Sequence, residues 1–283
     1  MKKVLLTTSA LTLLAGAAAA VDVGGYARIG ISNTGGTTSN YLRNQITFTG
    51  SASTDGGLTM STWTRYRHSA ASSVFAGTGA FAAPRISVSN GAMTLTAGNA
   101  GGALNANAGI WGCGAAMWGC SDLMGAGLWD WASTSSTGTG PNVVRLDMGL
   151  GGASVSVSGG NGNDTEFAVS VPAGGGSIGI GYDQNSSATN GQTTHINYSG
   201  SAAGLSVGVK LAQVQGGNTG YIGSVTAPMG GGSVYVFAGK NLQADNVYGL
   251  RYNQSLGGGA SLQAGMTSDN GTTTVGAGVA FGF

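Results

Sequence analysis

The run from Thr272 to Phe283 carries no charge, and its residues alternate in character. Val275, Ala277, Val279, Phe281 and Phe283 fall on one face, while Thr274, Gly276, Gly278, Ala280 and Gly282 fall on the other. Alternation with a period of two is a strand signal, because successive strand side chains point to opposite faces. A strand that is apolar on one face, small or polar on the other and aromatic at its end suits the wall of a membrane barrel.

The other end of the chain points to the same compartment. Met1-Lys2-Lys3 is a basic start, Val4 to Ala15 is mostly apolar, and Ala18-Ala19-Ala20 offers a small-residue cleavage site before Val21. The apolar stretch is too short and small-sided for a spanning helix, so residues 1–20 read as a cleaved export signal and 21–283 as the mature chain. Loss of Lys2 and Lys3 lowers the eleven basic residues to nine, against ten acidic ones. A chain so nearly neutral is not a polycation that holds nucleic acid through bulk charge.

Composition bears on what surrounds the fold. Charged residues make up 7% of the chain, glycine occurs 55 times and proline four. A soluble domain this poor in charge would associate, whereas a lipid-facing band needs none and a lumen can be lined by small polar groups. Disorder, the other reading of a glycine- and serine-rich chain, conflicts with the preserved two-residue period.

The alternation recurs along the chain. It predicts strands over 22–33, 42–53, 58–69, 84–90, 92–98, 141–150, 153–160, 164–172, 177–184, 192–199, 205–215, 220–227, 233–240, 246–255, 260–268 and 272–283. Every second connection is short and glycine-rich, as in Asn90-Gly91, Gly151-Gly152 and Gly230-Gly231-Gly232. Several alternate connections, such as Asn185 to Gly191, are longer and polar. Short turns on one side and longer loops on the other, with an even strand number, describe an antiparallel transmembrane β-barrel of sixteen strands.

Strand parity then sorts wall from lumen. With Val23, Ile29, Ile46, Phe48, Met60, Tyr66, Ile86 and Val88 facing lipid, Arg28, Arg43, Arg65, Arg67 and Arg85 face inward. Five of the seven arginines thus collect on the first four strands, and between Asp22 and Asp122 the sole acid is Asp55, in a turn. Avoidance of lipid, where a midplane arginine costs about 2–4 kcal/mol, explains the inward direction. It does not explain the clustering, which points to a functional basic wall. Later strands bring a sparser inward set: Arg145 and Asp147, placed to pair, then Glu166, Asp183, His195, Lys210 and Arg251. His68 and His195 lack further ligands at metal spacing, and no motif builds a hydrolase around His195, so neither a metal, a cofactor nor an enzyme is expected.

The connection from Asn99 to Pro141 is unusually long, and loops of this length tend to be functional. It contains Trp111, Trp118, Trp129 and Trp131, and both cysteines, Cys113 and Cys120. Two cysteines this close in an exported chain read as one disulfide, stabilising the loop by roughly 2–3 kcal/mol. Four tryptophans are poorly suited to water, so the loop is expected to fold against the lumen, a neighbouring subunit or the lipid interface.

The export signal, the aromatic end at Phe283, sixteen strands with glycine-rich turns and a long third loop resemble the general diffusion porins of Gram-negative outer membranes, most of all the alphaproteobacterial type. The resemblance covers the whole mature chain. It implies a homotrimer passing small hydrophilic solutes and ions, with the third loop, 99–141, folded inward as a constriction. It also implies that Arg28, Arg43, Arg65, Arg67 and Arg85 face Asp122 and Asp130 across the pore. The loop departs from the family's pattern in carrying only two acids beside four tryptophans and a cysteine pair. A substrate-selective channel, or a plugged structural or adhesive barrel, are the alternative readings.

Overall fold

The computed structural model describes residues 20–72, 79–108, 142–160, 165–186 and 191–283. The export segment, Cys113, Cys120, Asp122, Asp130 and the four loop tryptophans lie outside the described residues. Before the long connection come β1 (Ala20–Thr34), β2 (Thr37–Ser53), β3 (Thr59–Ser72), β4 (Gly79–Phe81), β5 (Arg85–Ser89) and β6 (Met93–Gly98). After it come β7 (Val143–Leu150), β8 (Ala153–Gly159), β9 (Thr165–Ala173), β10 (Gly176–Ser186), β11 (Gly191–Ala202) and β12 (Leu205–Val214). The chain finishes with β13 (Thr219–Met229), β14 (Gly232–Lys240), β15 (Asn246–Gly257), β16 (Ala260–Asp269) and β17 (Thr272–Gly282).

The strands pair antiparallel along the chain, and β1 pairs with both β2 and β17, so the sheet closes on itself. β4 and β5 both pair with β3 and occupy a single place in the wall, which gives sixteen wall positions. Each of the sixteen segments expected from the alternation overlaps one of these strands, many of which run farther than expected. The addition is β4, which extends the fourth wall position beyond the predicted 84–90.

Tight hairpins follow from the turn residues. Gly151 and Gly152 sit at φ 58° and 95°, the left-handed pair whose twist matches that of the strands they join. Asn270 and Gly271 do the same at φ 48° and 76°, at the opposite end of the barrel. Short turns are therefore not confined to one rim: the β1–β2 turn at Gly35-Gly36 and the β16–β17 turn both lie on the rim that carries the long loop, beside the seam.

Outward positions form an apolar belt. Ile31, Ile86 and Val144 are 55%, 57% and 54% exposed, and Ile180, Val209, Val236, Leu250 and Val275 are exposed with them. So continuous an apolar surface is a liability in water and a requirement in lipid. No helix among the described residues is long and apolar enough to cross a membrane, and the crossing is made by strands.

Closure is completed at Phe283. Its backbone N–H donates to the Gly25 carbonyl at 3.0 Å, and the Gly25 N–H donates to the Phe283 carbonyl at 2.7 Å. The ring of Phe283 lies over the place where Gly25 lacks a side chain, with Phe281 6.1 Å away between ring centroids. A Cβ on Gly25 would collide with the Gln45 carbonyl oxygen and stand 2.8 Å from Phe283 Cζ. Gly25→Val is therefore expected to destabilise the closed barrel by roughly 1–3 kcal/mol. The check is the temperature at which the SDS-resistant form converts to the unfolded band on a gel, which should fall in the variant.

Candidate functional site

Strand register brings the early arginines onto one inner surface. Arg28 of β1 stands directly opposite Arg43 of β2, Gln45 opposite Arg67 of β3, Thr47 opposite Arg65, and Trp63 opposite Arg85 of β5. Paired residues share a face, and the flanking outward residues Ile29, Ile31, Phe81 and Ile86 are exposed. All five arginines therefore belong to the lumen side of four adjacent wall positions.

Arg85 reaches that side through a bulge. Tyr66 pairs with Phe81 and Trp63 with Arg85, so Thr64 and Arg65 on β3 face three residues, Ala82, Ala83 and Pro84. The extra residue reverses the facing of the strand: Phe81 points to lipid and Arg85 to the lumen. Pro84, which has no N–H to lose, sits within the break. The Ala82 N–H donates to the Arg65 carbonyl at 2.8 Å, and Thr64 Oγ1 donates to the Ala82 carbonyl at 2.7 Å.

The described hydrogen-bond and ring partners of these cations are neutral. Arg28 Nη2 donates to the Tyr41 hydroxyl at 2.6 Å, and Arg43 Nη1 to the Tyr26 hydroxyl at 3.3 Å. Arg67 gives Nε and Nη2 to Gln45 Oε1 at 2.9 and 2.8 Å. Arg28 and Arg43 also lie over the Tyr41 ring, at 4.8 and 5.6 Å from its centroid. Arg65 and Arg85 lie over Trp63, at 5.3 and 4.4 Å. Among the described residues Arg65, Arg67 and Arg85 have no carboxylate partner. Arg145, by contrast, is paired with Asp147 at 3.0 Å, as their spacing suggested.

The opposite wall holds the beginning of the long connection. Residues 99–108, ending in a π-helical turn over Leu104–Ala108, pack on the inner faces of β8 to β11. The Ala103 N–H donates to Ser158 Oγ and the Leu104 N–H to Glu166 Oε2, each at 2.8 Å. Arg145 Nη1 donates to the Gly101 carbonyl at 2.5 Å, and Asn107 Nδ2 to Ser156 Oγ at 2.6 Å. Gly179 and Gly181 make the approach possible, because a Cβ there would meet the Asn107 carbonyl and the Leu104 side chain. Glu166 is thus a backbone acceptor that anchors the stem, a role its place in the alternation does not reveal.

A second unanticipated feature lies beside it. Ala212, Ile222, Phe237 and Val247 occupy inward positions of β12 to β15 and are buried together with Leu242 and the stem residues Leu104 and Ala108. Tyr235 stacks on Phe237 with ring centroids 5.9 Å apart. The expectation of a lumen lined by small polar groups is met elsewhere but not on this sector. The signal was present: in β14 both Val236 and Phe237 are apolar, so the alternation is blurred where the inner wall is greasy.

A closed strand wall with an apolar exterior and a cationic inner face defines an outer-membrane β-barrel pore. The family model described as Gram-negative porin matches residues 7–282, and the chain belongs to that family. It is a non-enzymatic channel of the Gram-negative outer membrane through which small hydrophilic solutes diffuse. Solved structures of Rhodopseudomonas blastica porin variants share its fold. One with two acid-to-alanine replacements is 15% identical, with a TM-score of 0.79, and covers 93% of this chain and 100% of its own. Another, with an introduced tryptophan, is 15% identical with a TM-score of 0.78 and the same coverage. A triple variant with two introduced tryptophans is 16% identical, with a TM-score of 0.70 and the same coverage. No curated protein matches the chain.

Glu166→Ala removes the acceptor of a buried backbone donor, a loss of about 1–3 kcal/mol confined to the stem. The strand ladders are untouched, so SDS resistance should persist. Open-channel current noise in a planar bilayer should rise, and a trace as quiet as that of the parent protein would contradict the anchoring role.

Proposed function

We propose that the basic wall of Arg28, Arg43, Arg65, Arg67 and Arg85 forms one side of the pore's narrowest section, with Asp122 and Asp130 of the connection 99–141 on the other. The observation that carries this reading is the register, which gathers five guanidiniums on one inner surface with tyrosine, glutamine and tryptophan as their described partners. The stem contacts of residues 99–108 support it, since they start the connection on the lumen side facing that wall. Five cations against two acids lean the channel toward anions, because low-dielectric walls focus the field of fixed charges. The lean is weak, because ordinary salt screens beyond about 8–10 Å.

Three further elements complete the proposal. Residues 1–20 are removed on export, a reading supported by the basic start, the short apolar run and the small-residue site Ala18-Ala19-Ala20. Cys113 and Cys120 form an intrachain disulfide that shapes the connection. The barrel assembles as a homotrimer, an assembly taken from the family resemblance; small outward residues at the seam, Ala264 and Ala277 beside Ile31 and Val275, leave a shallow apolar recess that suits a neighbouring copy.

Reversal potentials in a salt gradient test the charge assignment. Replacing Arg43 and Arg65 together by serine should lower the anion-to-cation permeability ratio by about two-fold at low ionic strength. An unchanged reversal potential would remove these side chains from the constriction.

A further inference from the structure

Arg65 differs from the other arginines of the wall. It is 7% exposed, and its Nε and Nη2 are buried with no hydrogen-bond partner among the described residues. A guanidinium carries five N–H donors in a planar fork and accepts nothing, so its unfilled donors can be satisfied only by an acceptor brought to them. The Trp63 ring lies against it, 5.3 Å from guanidinium carbon to ring centroid. Stacking uses the flat face of the cation, so it does not satisfy the Nε and Nη2 donors on the edge.

Arg85 brings a second cation to the same indole, at 4.4 Å. It is half-buried and has no carboxylate partner among the described residues, and it faces the lumen because the bulge at 82–84 turned it there. Bulges that re-aim a side chain are over-represented beside functional sites. Two like charges on one ring repel, and the arrangement is relieved when a counter-charge lies between them. Arg67 does not fill this role for either, since it too is a cation and its Nε and Nη2 are given to Gln45.

We infer that Arg65, Trp63 and Arg85 form a discrete binding site for the oxyanion group of a small solute, a carboxylate or a phosphate, in the channel wall. The inference rests on the reading of the lumen as a water-filled, anion-leaning pore and adds to it a place where a solute dwells. Arg65 anchors the oxyanion from the wall side. Arg85, more accessible, is the first donor met from the lumen, and the indole between them fixes their spacing. Carboxylate and phosphate oxygens can take paired N–H donors from a guanidinium fork, a geometry chloride cannot match. Oxyanions are therefore held where chloride passes.

Single-channel conductance of the whole protein tests this with inorganic phosphate as the probe. In potassium chloride alone, conductance should rise in proportion to bulk conductivity. In potassium phosphate it should saturate, and phosphate added to a chloride solution should halve the chloride current at about millimolar concentration, the level expected of a weak site. Arg65→Gln with Arg85→Gln should abolish saturation. Trp63→Leu, which keeps both cations and is the fallback if that pair fails to assemble, should raise the half-saturating concentration about ten-fold. Arg251→Gln removes a lumen cation elsewhere and should leave saturation in place. Succinate serves as a second probe: block by either anion supports the site, and block by neither overturns it. An open, anion-leaning channel with linear conductance in both anions would refute the site and leave the pore reading standing. A channel that conducts nothing would refute both.

Discussion

The structure depends on satisfying backbone hydrogen bonds where no water is available. In the hydrocarbon of a membrane an unpaired N–H or carbonyl costs several kcal/mol, so a sheet can cross only if it has no edge. Here the edge disappears at one seam, where β1 pairs with β17 from Tyr26↔Gly282 to Thr34↔Thr274 and Gly25 exchanges two hydrogen bonds with Phe283. The aromatic end read from the sequence is therefore a structural part: its backbone seals the seam and its ring fills the gap above Gly25. Once the wall is closed, apolar residues can face outward freely and charges within the hydrocarbon span are driven to the lumen.

Closure alone does not decide how the lumen is divided. One sector, β1 to β5, presents arginines whose described partners are hydroxyl, amide and ring groups. Across the lumen, β8 and β9 present Ser156, Ser158 and Glu166, which hold the stem of the long connection, while Asp147 of β7 accepts from Ser156 and pairs with Arg145. Farther round, Ile222, Phe237 and Val247 make an apolar strip. The three sectors have different chemistry because the inner positions of a barrel are free of the lipid constraint and vary locally. Function is written on that freedom: the outer face says only where the protein lives, and the inner face what passes.

Much of this was legible in the chain. A two-residue period fixes both the strand and its facing, so Arg28, Arg43, Arg65 and Arg67 could be placed in the lumen by counting. The face read for Arg85 from 84–90 matches the register, although it depends on a bulge that propensity does not disclose. Gly79–Phe81 was missed because three residues are too few to show a period. The anchoring role of Glu166 was invisible since it depends on which backbone approaches it, and that is set by tertiary packing. The apolar strip shows in the chain only as the blurred alternation at Val236-Phe237, since residues apolar on both faces still read as strand.

The central claim is that a closed, charge-lined barrel carries a continuous aqueous path. The most direct test is current through the purified outer-membrane protein in a planar lipid bilayer. The account predicts stable, stepwise openings whose conductance follows the bathing salt, from a preparation that also shows SDS-resistant, heat-convertible folding. A preparation that is folded by that criterion yet gives no conductance would contradict it, and would make the barrel a plugged scaffold.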